Sequence, residues 1–171
     1  MLLNETPRRK RTGYPSAKPN SSYNIFITPQ SGGVLDPRRN KGARIAVIGA
    51  GISGIAAANV LQKNGFEAVV FEKSENLGGG WAVTYPGIHL QNTFASYHLS
   101  DFPWAFKPDL HPSGAQIMRY WNEAVKHLQL DVRLGHEVLA LEEQANGWLL
   151  RYKNQKGVHE EMFKYAIIAV G

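Results

Sequence analysis

Between Arg44 and Phe71 the hydrophobic positions change period twice. Ile45, Ala46, Val47 and Ile48 form an unbroken apolar run rich in β-branched residues, which predicts a strand covered on both faces. From Ile52 the apolar residues Ile55, Ala56, Ala58, Val60 and Leu61 fall among good helix formers with no interior proline, and Asn64-Gly65 supplies a stop, so a helix is expected there. Ala68 to Phe71 return to a continuous apolar run. Strand, helix and strand in that order make a βαβ unit, with Gly49-Ala50-Gly51-Ile52-Ser53-Gly54 at its first turn.

Further along, Ser113 is a good N-cap and Gln116 stands three residues later, the spacing of a capping box. Ile117, Tyr120, Trp121, Ala124 and Leu128 then share one apolar helical face and read as core. Glu137 to Leu141, Trp148 to Tyr152 and Glu160 to Phe163 alternate apolar and polar positions. Asn146-Gly147 and the Asn154 to Gly157 turn separate them, which predicts a small antiparallel meander. Tyr165 to Val170 is a last apolar strand, ending in Gly171. The expected fold class is α/β: a Rossmann-like, doubly wound domain over residues 44–171, with a parallel sheet and a β-meander.

The turn at Gly49 carries the first candidate chemistry. Gly49 allows the tight bend, Gly51 lets backbone approach a pyrophosphate, and Gly54 permits close packing of the helix. The helix's free N–H groups and its dipole then favour an anion. Glu72, at the tip of the second strand about 20 residues on, is placed to accept hydrogen bonds from a ribose 2′-hydroxyl and would repel a 2′-phosphate. The adenosine bound here is therefore expected to be that of FAD or NAD and not NADP. No GK[ST] follows the turn, which excludes a Walker-type phosphate loop.

A second glycine cluster, Gly78-Gly79-Gly80-Trp81, follows Glu72 by six residues, and a simple dehydrogenase does not need it. With it the sequence resembles the flavin-containing monooxygenases, in which a Gly-Gly-x-Trp element follows the nucleotide-binding turn. The Asp101-Phe102-Pro103-Trp104 run resembles the same family's Asp-Phe-Pro-aromatic element. The last strand resembles the family's Ala-Thr-Gly end, with Val170 in place of the threonine. The resemblance covers about Arg44 to Gly171 and implies cofactor contacts at Gly49, Ala50, Gly51, Ile52, Ser53, Gly54, Glu72, Lys73, Gly78, Gly79, Trp81, the backbone of Val138, and Gly171. In animal members an asparagine near the flavin stands ten positions before the Asp of that element. Here the position is Gln91, with Asn92 beside it, and these two amides are the candidate catalytic residues. Satisfying loop backbone is the alternative role for both. Baeyer–Villiger and N-hydroxylating monooxygenases share this half and stay open as relatives. Flavin disulfide reductases need a redox cysteine pair, and the chain has no cysteine.

The resemblance implies that a whole enzyme of this kind uses NADPH to reduce FAD, adds O₂ at flavin C4a as a hydroperoxide, and passes one oxygen to a soft nitrogen or sulfur nucleophile. A site for NADPH lies downstream of the family's FAD half, so it is expected outside this chain. The 171 residues are then the N-terminal portion of a longer enzyme, inactive alone. A non-catalytic nucleotide-binding module and an NAD-linked dehydrogenase fragment are the other classes that fit. Partners are expected to be a small nucleophilic substrate and O₂, without nucleic acid.

Charge changes the picture only at the start of the chain. Eight of the 19 Lys and Arg but only two of the 14 Asp and Glu fall within residues 1–43, so the net charge of +5 belongs there and not to a domain face. With its prolines, serines and glycines that segment reads as a disordered basic tail, solvated and not a nucleic-acid clamp. No signal peptide and no run approaching a membrane span is visible, and a cytoplasmic setting is expected. The six histidines are scattered without metal-ligand spacing, so no metal site is expected.

Overall fold

Two apolar strands and the helix between them set the centre of the molecule. The computed structural model describes Phe26–Thr28 and residues 35–171. In it β2 (Arg44–Ile48), α1 (Ile52–Lys63) and β3 (Glu67–Phe71) form the expected βαβ unit, with β2 and β3 parallel from Arg44 opposite Glu67 to Ile48 opposite Phe71. α2 (Gly114–His127) follows a long irregular stretch, then β4 (Asp131–Arg133), the meander β5 (Glu137–Gln144), β6 (Gly147–Asn154) and β7 (Gly157–Phe163), and β8 (Tyr165–Ile168).

The main sheet has the order β1-β8-β2-β3-β4, where β1 is Phe26–Thr28 paired antiparallel on β8 and the other three pairings are parallel. β1 falls within the stretch read from composition as a tail; the rest of residues 1–34 lies outside the described residues. β4 was not legible in the sequence. It has one apolar residue, Val132, between two charged ones, and its extended form comes from laddering on Val69 to Phe71.

Alternation along the strands divides the core in two. Ile45, Val47, Val70, Tyr165 and Ile167 face α1 and α2, where Ile55, Ala58, Ile117, Tyr120, Trp121 and Ala124 pack on them. Ala46, Val69, Phe71 and Ala166 face the meander and meet Leu150, Tyr152 and Phe163. Both helices thus lie on one face of the sheet and the three-stranded β5-β6-β7 layer covers the other. The seam between the layers is closed by Glu161, whose carboxylate accepts from Arg44 Nη2 at 2.9 Å, Arg133 Nη1 at 2.6 Å and Tyr152 Oη at 2.7 Å. Partial burial opposes its ionisation, and those donors outweigh burial, setting its pKa at about 2.

Candidate functional site

The three glycines of the first turn are required by different things. Gly49 has φ +104°, and a Cβ there would lie 2.6 Å from the carbonyl oxygen of Ala169, just past β8. A Cβ on Gly54 would lie 1.9 Å from the carbonyl oxygen of Gly49. The protein's own backbone therefore demands glycine at both positions. Gly51 is different: its φ of −75° and ψ of −178° suit any residue, and a Cβ would meet nothing closer than the Cα of Gly79 at 3.9 Å. Nothing in the fold itself calls for glycine at 51.

Gly51 is also the N-cap of α1, and no side chain caps it. The first internal bond of the helix runs from the amide of Ile55 to the carbonyl of Gly51. Among the described residues, the N–H groups of Ile52, Ser53 and Gly54 donate to nothing, and no acidic side chain stands in the first turn. Several free donors and the positive end of the helix dipole converge on one point, which suits an anion.

Ala50 joins this turn to the rest of the site. Its amide donates to Glu72 Oε2 at 2.8 Å, and its carbonyl accepts from the amide of Gly78 at 2.9 Å. The second glycine cluster is thereby folded back onto the first, and a Cβ on Gly79 would come 3.2 Å from the Cα of Gly51. Gly78 has φ +100°, with Met118 Sδ of α2 filling the space its Cβ would need. Sequence reading missed Met118, since nothing in a helical stripe marks one residue as the floor beneath a distant glycine.

Glu72 is 8% exposed and its other oxygen accepts from the amide of Ser74 at 2.9 Å. Each carboxylate oxygen thus has one backbone donor and keeps capacity for another. The turn from Arg133 to His136 runs alongside through main-chain bonds: the Glu72 amide donates to the Arg133 carbonyl, the Glu72 carbonyl accepts from the His136 amide, and the Gly135 amide donates to the Ser74 carbonyl. Val138 lies two residues beyond that contact, on an edge strand of the meander, its side chain half-buried against the second core. Lys73 and Gly171 are exposed, the latter just past the Ala169 carbonyl that abuts Gly49.

The Trp81 ring lies edge-to-face with Tyr97, centroids 6.2 Å apart, and Tyr97 in turn meets Trp121 at 6.1 Å. Burial raises the pKa of the Tyr97 phenol, with the indoles of Trp121 and Trp81 pulling the other way. Gln91 and Asn92 are both exposed, and neither amide side chain has a hydrogen-bond partner among the described residues. Their loop is held by backbone bonds on either side, Leu90 to the Pro112 carbonyl and Phe94 to that of Leu110. No group of three or more His, Asp or Glu is placed to hold a metal among the described residues, and no helix there is long and apolar enough to cross a membrane.

The family model for the NAD(P)-binding Rossmann-like domain matches residues 47–128. The 4-hydroxybenzoate brominase (decarboxylating) of Pseudoalteromonas luteoviolacea is 34% identical over 139 residues, covering 74% of this chain and 25% of that protein. The probable flavin-containing monooxygenase 1 of Arabidopsis thaliana is 40% identical over 92 residues, covering 52% of this chain and 17% of that one. In structure, the bacillithiol disulfide reductase of Staphylococcus aureus superposes with a TM-score of 0.67 at 24% identity, over 77% of this chain and 39% of that chain, a likeness of fold. The chain thus spans a quarter or less of the two sequence relatives. Over that portion its sequence is similar to flavin-containing monooxygenases, and the portion includes a Rossmann-like NAD(P)-binding domain.

Proposed function

We propose that the chain holds FAD in an NADPH- and O₂-dependent flavin monooxygenase that oxygenates small nitrogen or sulfur nucleophiles, with the NADPH site on sequence beyond these residues. The observation that carries the reading is Gly51. It is the one glycine of the turn that the fold does not require, and it stands where free amides and a buried carboxylate converge. A ligand whose backbone-hugging pyrophosphate leaves no room for a side chain supplies the missing reason.

In this reading the amides of Ile52, Ser53 and Gly54 bind the pyrophosphate, and Glu72 accepts from the adenosine ribose while its bonds to Ala50 and Ser74 hold it in place. The meander edge at Val138 offers backbone groups to the adenine. Gly78 and Gly79 let the chain lie close along the ligand, and Trp81 screens the ring end from water. The flavin, when bound, supplies the redox and oxygen chemistry. Gln91 and Asn92, exposed and without side-chain partners among the described residues, would be the amides that orient a reacting group.

Replacing Gly51 by Ser tests this directly, because the fold has room for the side chain. The variant is expected to fold as the wild type does and to lose FAD, read as flavin absorbance retained after desalting. Wild-type stoichiometry in Gly51→Ser would sink the assignment, and a wild-type chain that takes NAD but no flavin would favour a dehydrogenase.

A further inference from the structure

The Leu90–Trp104 stretch has one short turn of 3₁₀ helix, Phe94–Ser96, and otherwise no regular structure, so side chains must set its place. On one side, Tyr120 of α2 accepts from the amide of Leu99 at 2.7 Å and donates to the carbonyl of Phe102 at 2.6 Å. Within the stretch, Trp104 Nε1 donates to the carbonyl of Phe94 at 3.0 Å. On the other side, Asp101 binds α1: Asn59 Nδ2 donates to its two oxygens at 3.0 and 3.2 Å, and Lys63 Nζ lies 2.9 Å away. Asn59 is 4% exposed, on the helix face that otherwise presents Ile55, Ala58 and Leu61 to the core. A buried amide whose side-chain partner is one loop carboxylate is an expensive way to hold a loop unless its position matters.

These contacts close a circuit. The turn that leads into α1 accepts from the Gly78 amide through the Ala50 carbonyl, Trp81 follows three residues later and meets Tyr97, and the stretch returns through Asp101 to Asn59 and Lys63 on the same helix. One rigid helix therefore carries the phosphate turn at one end and the anchor of the loop at the other. We propose that Asp101 is a positioning residue: through Asn59 and Lys63 it fixes the Leu90–Trp104 loop relative to the phosphate turn, and so governs how the ring end of a bound flavin dinucleotide is held. This rests on the flavin reading above and adds to it a residue that touches no part of the ligand.

ADP and FAD separate the two ends, since ADP has the adenosine and pyrophosphate but no ring. For Asp101→Ala in the full chain, FAD affinity is expected to fall about tenfold, equivalent to about 1.4 kcal/mol, while ADP affinity stays within about twofold. Retained ADP binding also shows that the variant is folded. Asp101→Asn keeps an oxygen for Asn59 and loses the charge facing Lys63, so its FAD affinity is expected in between; it carries the same comparison should the alanine variant not fold. The visible circular dichroism of bound flavin is expected to change in both variants, which a purely stabilising contact would not bring about. Equal losses for ADP and FAD, or no loss of FAD, would overturn the proposal. A wild-type chain that binds ADP and not FAD would overturn the flavin reading and this inference with it.

Discussion

The two helices begin in opposite ways. Ser113 and Gln116 cap α2 reciprocally, the serine hydroxyl accepting from the Gln116 amide at 3.3 Å and the glutamine side chain accepting from the Ser113 amide at 3.0 Å. α1 starts on Gly51 in nearly the same extended backbone conformation, yet has no cap at all. Both ends face the same problem, orphan N–H groups that water or a partner must satisfy. The chain solves it with two side chains at α2 and leaves it open at α1. Under the proposed function, the α1 donors are kept for the dinucleotide, at a cost in stability.

The carboxylates repeat the contrast. Glu161 at the sheet-meander seam is met by two arginines and a tyrosine, all side chains, and serves the fold alone. Glu72 is met by two backbone amides, which fix its direction and leave the space in front of it free of side-chain donors.

Gly54 is the most sensitive position of the α1 turn. A methyl group there collides with the Gly49 carbonyl, so Gly54→Ala is expected to destabilise by about 4 kcal/mol or prevent folding, read by chemical denaturation. A near-neutral result would mean that the turn is loose and that its free amides are an accident of that looseness.

Glu161→Gln comes next, at about 2 kcal/mol near neutral pH, an amount reduced for the partial exposure of its ion pairs. The folded-state pKa of about 2 lies below the ordinary value of 4.5, so the ionised form's contribution is full above that value and is lost as pH falls from about 4.5 toward 2. Wild type and variant should converge in thermal midpoint across that window. FAD binding at neutral pH should be equal in both, since the seam serves the fold.

Ser113→Ala is expected to cost about 1 kcal/mol by loss of the cap, with no change in dinucleotide affinity. A change in affinity would show that α2's start takes part in the site after all. The smallest effect is the mirror image of this one. Gly51→Ser supplies α1 with the cap it lacks, and the ligand-free protein is expected to gain about 0.5 kcal/mol in the variant that loses FAD. A rise in melting temperature together with lost binding would show that the uncapped start of α1 trades stability for a ligand.

By itself the sequence determined the βαβ unit, the capped helix and the meander, because each is written in short-range terms: an apolar period, a capping pair, a turn dipeptide between alternating runs. It also marked Gly49, Gly51, Gly54 and Glu72, since their spacing is local to one strand-turn-helix-strand unit. Only the tertiary structure decided that β4 and β1 are strands, for each is three residues long, too short to carry a period, and both pair with a neighbour in the sheet. Only it separated Gly51, where the backbone leaves room for a side chain, from Gly49 and Gly54, where it does not, because the Ala169 carbonyl that crowds Gly49 is 120 residues away in the chain. Asn59 meeting Asp101, Met118 beneath Gly78 and Glu161 between two arginines are of the same kind. Contacts between distant segments depend on how layers pack, and packing leaves no periodic trace in the order of residues.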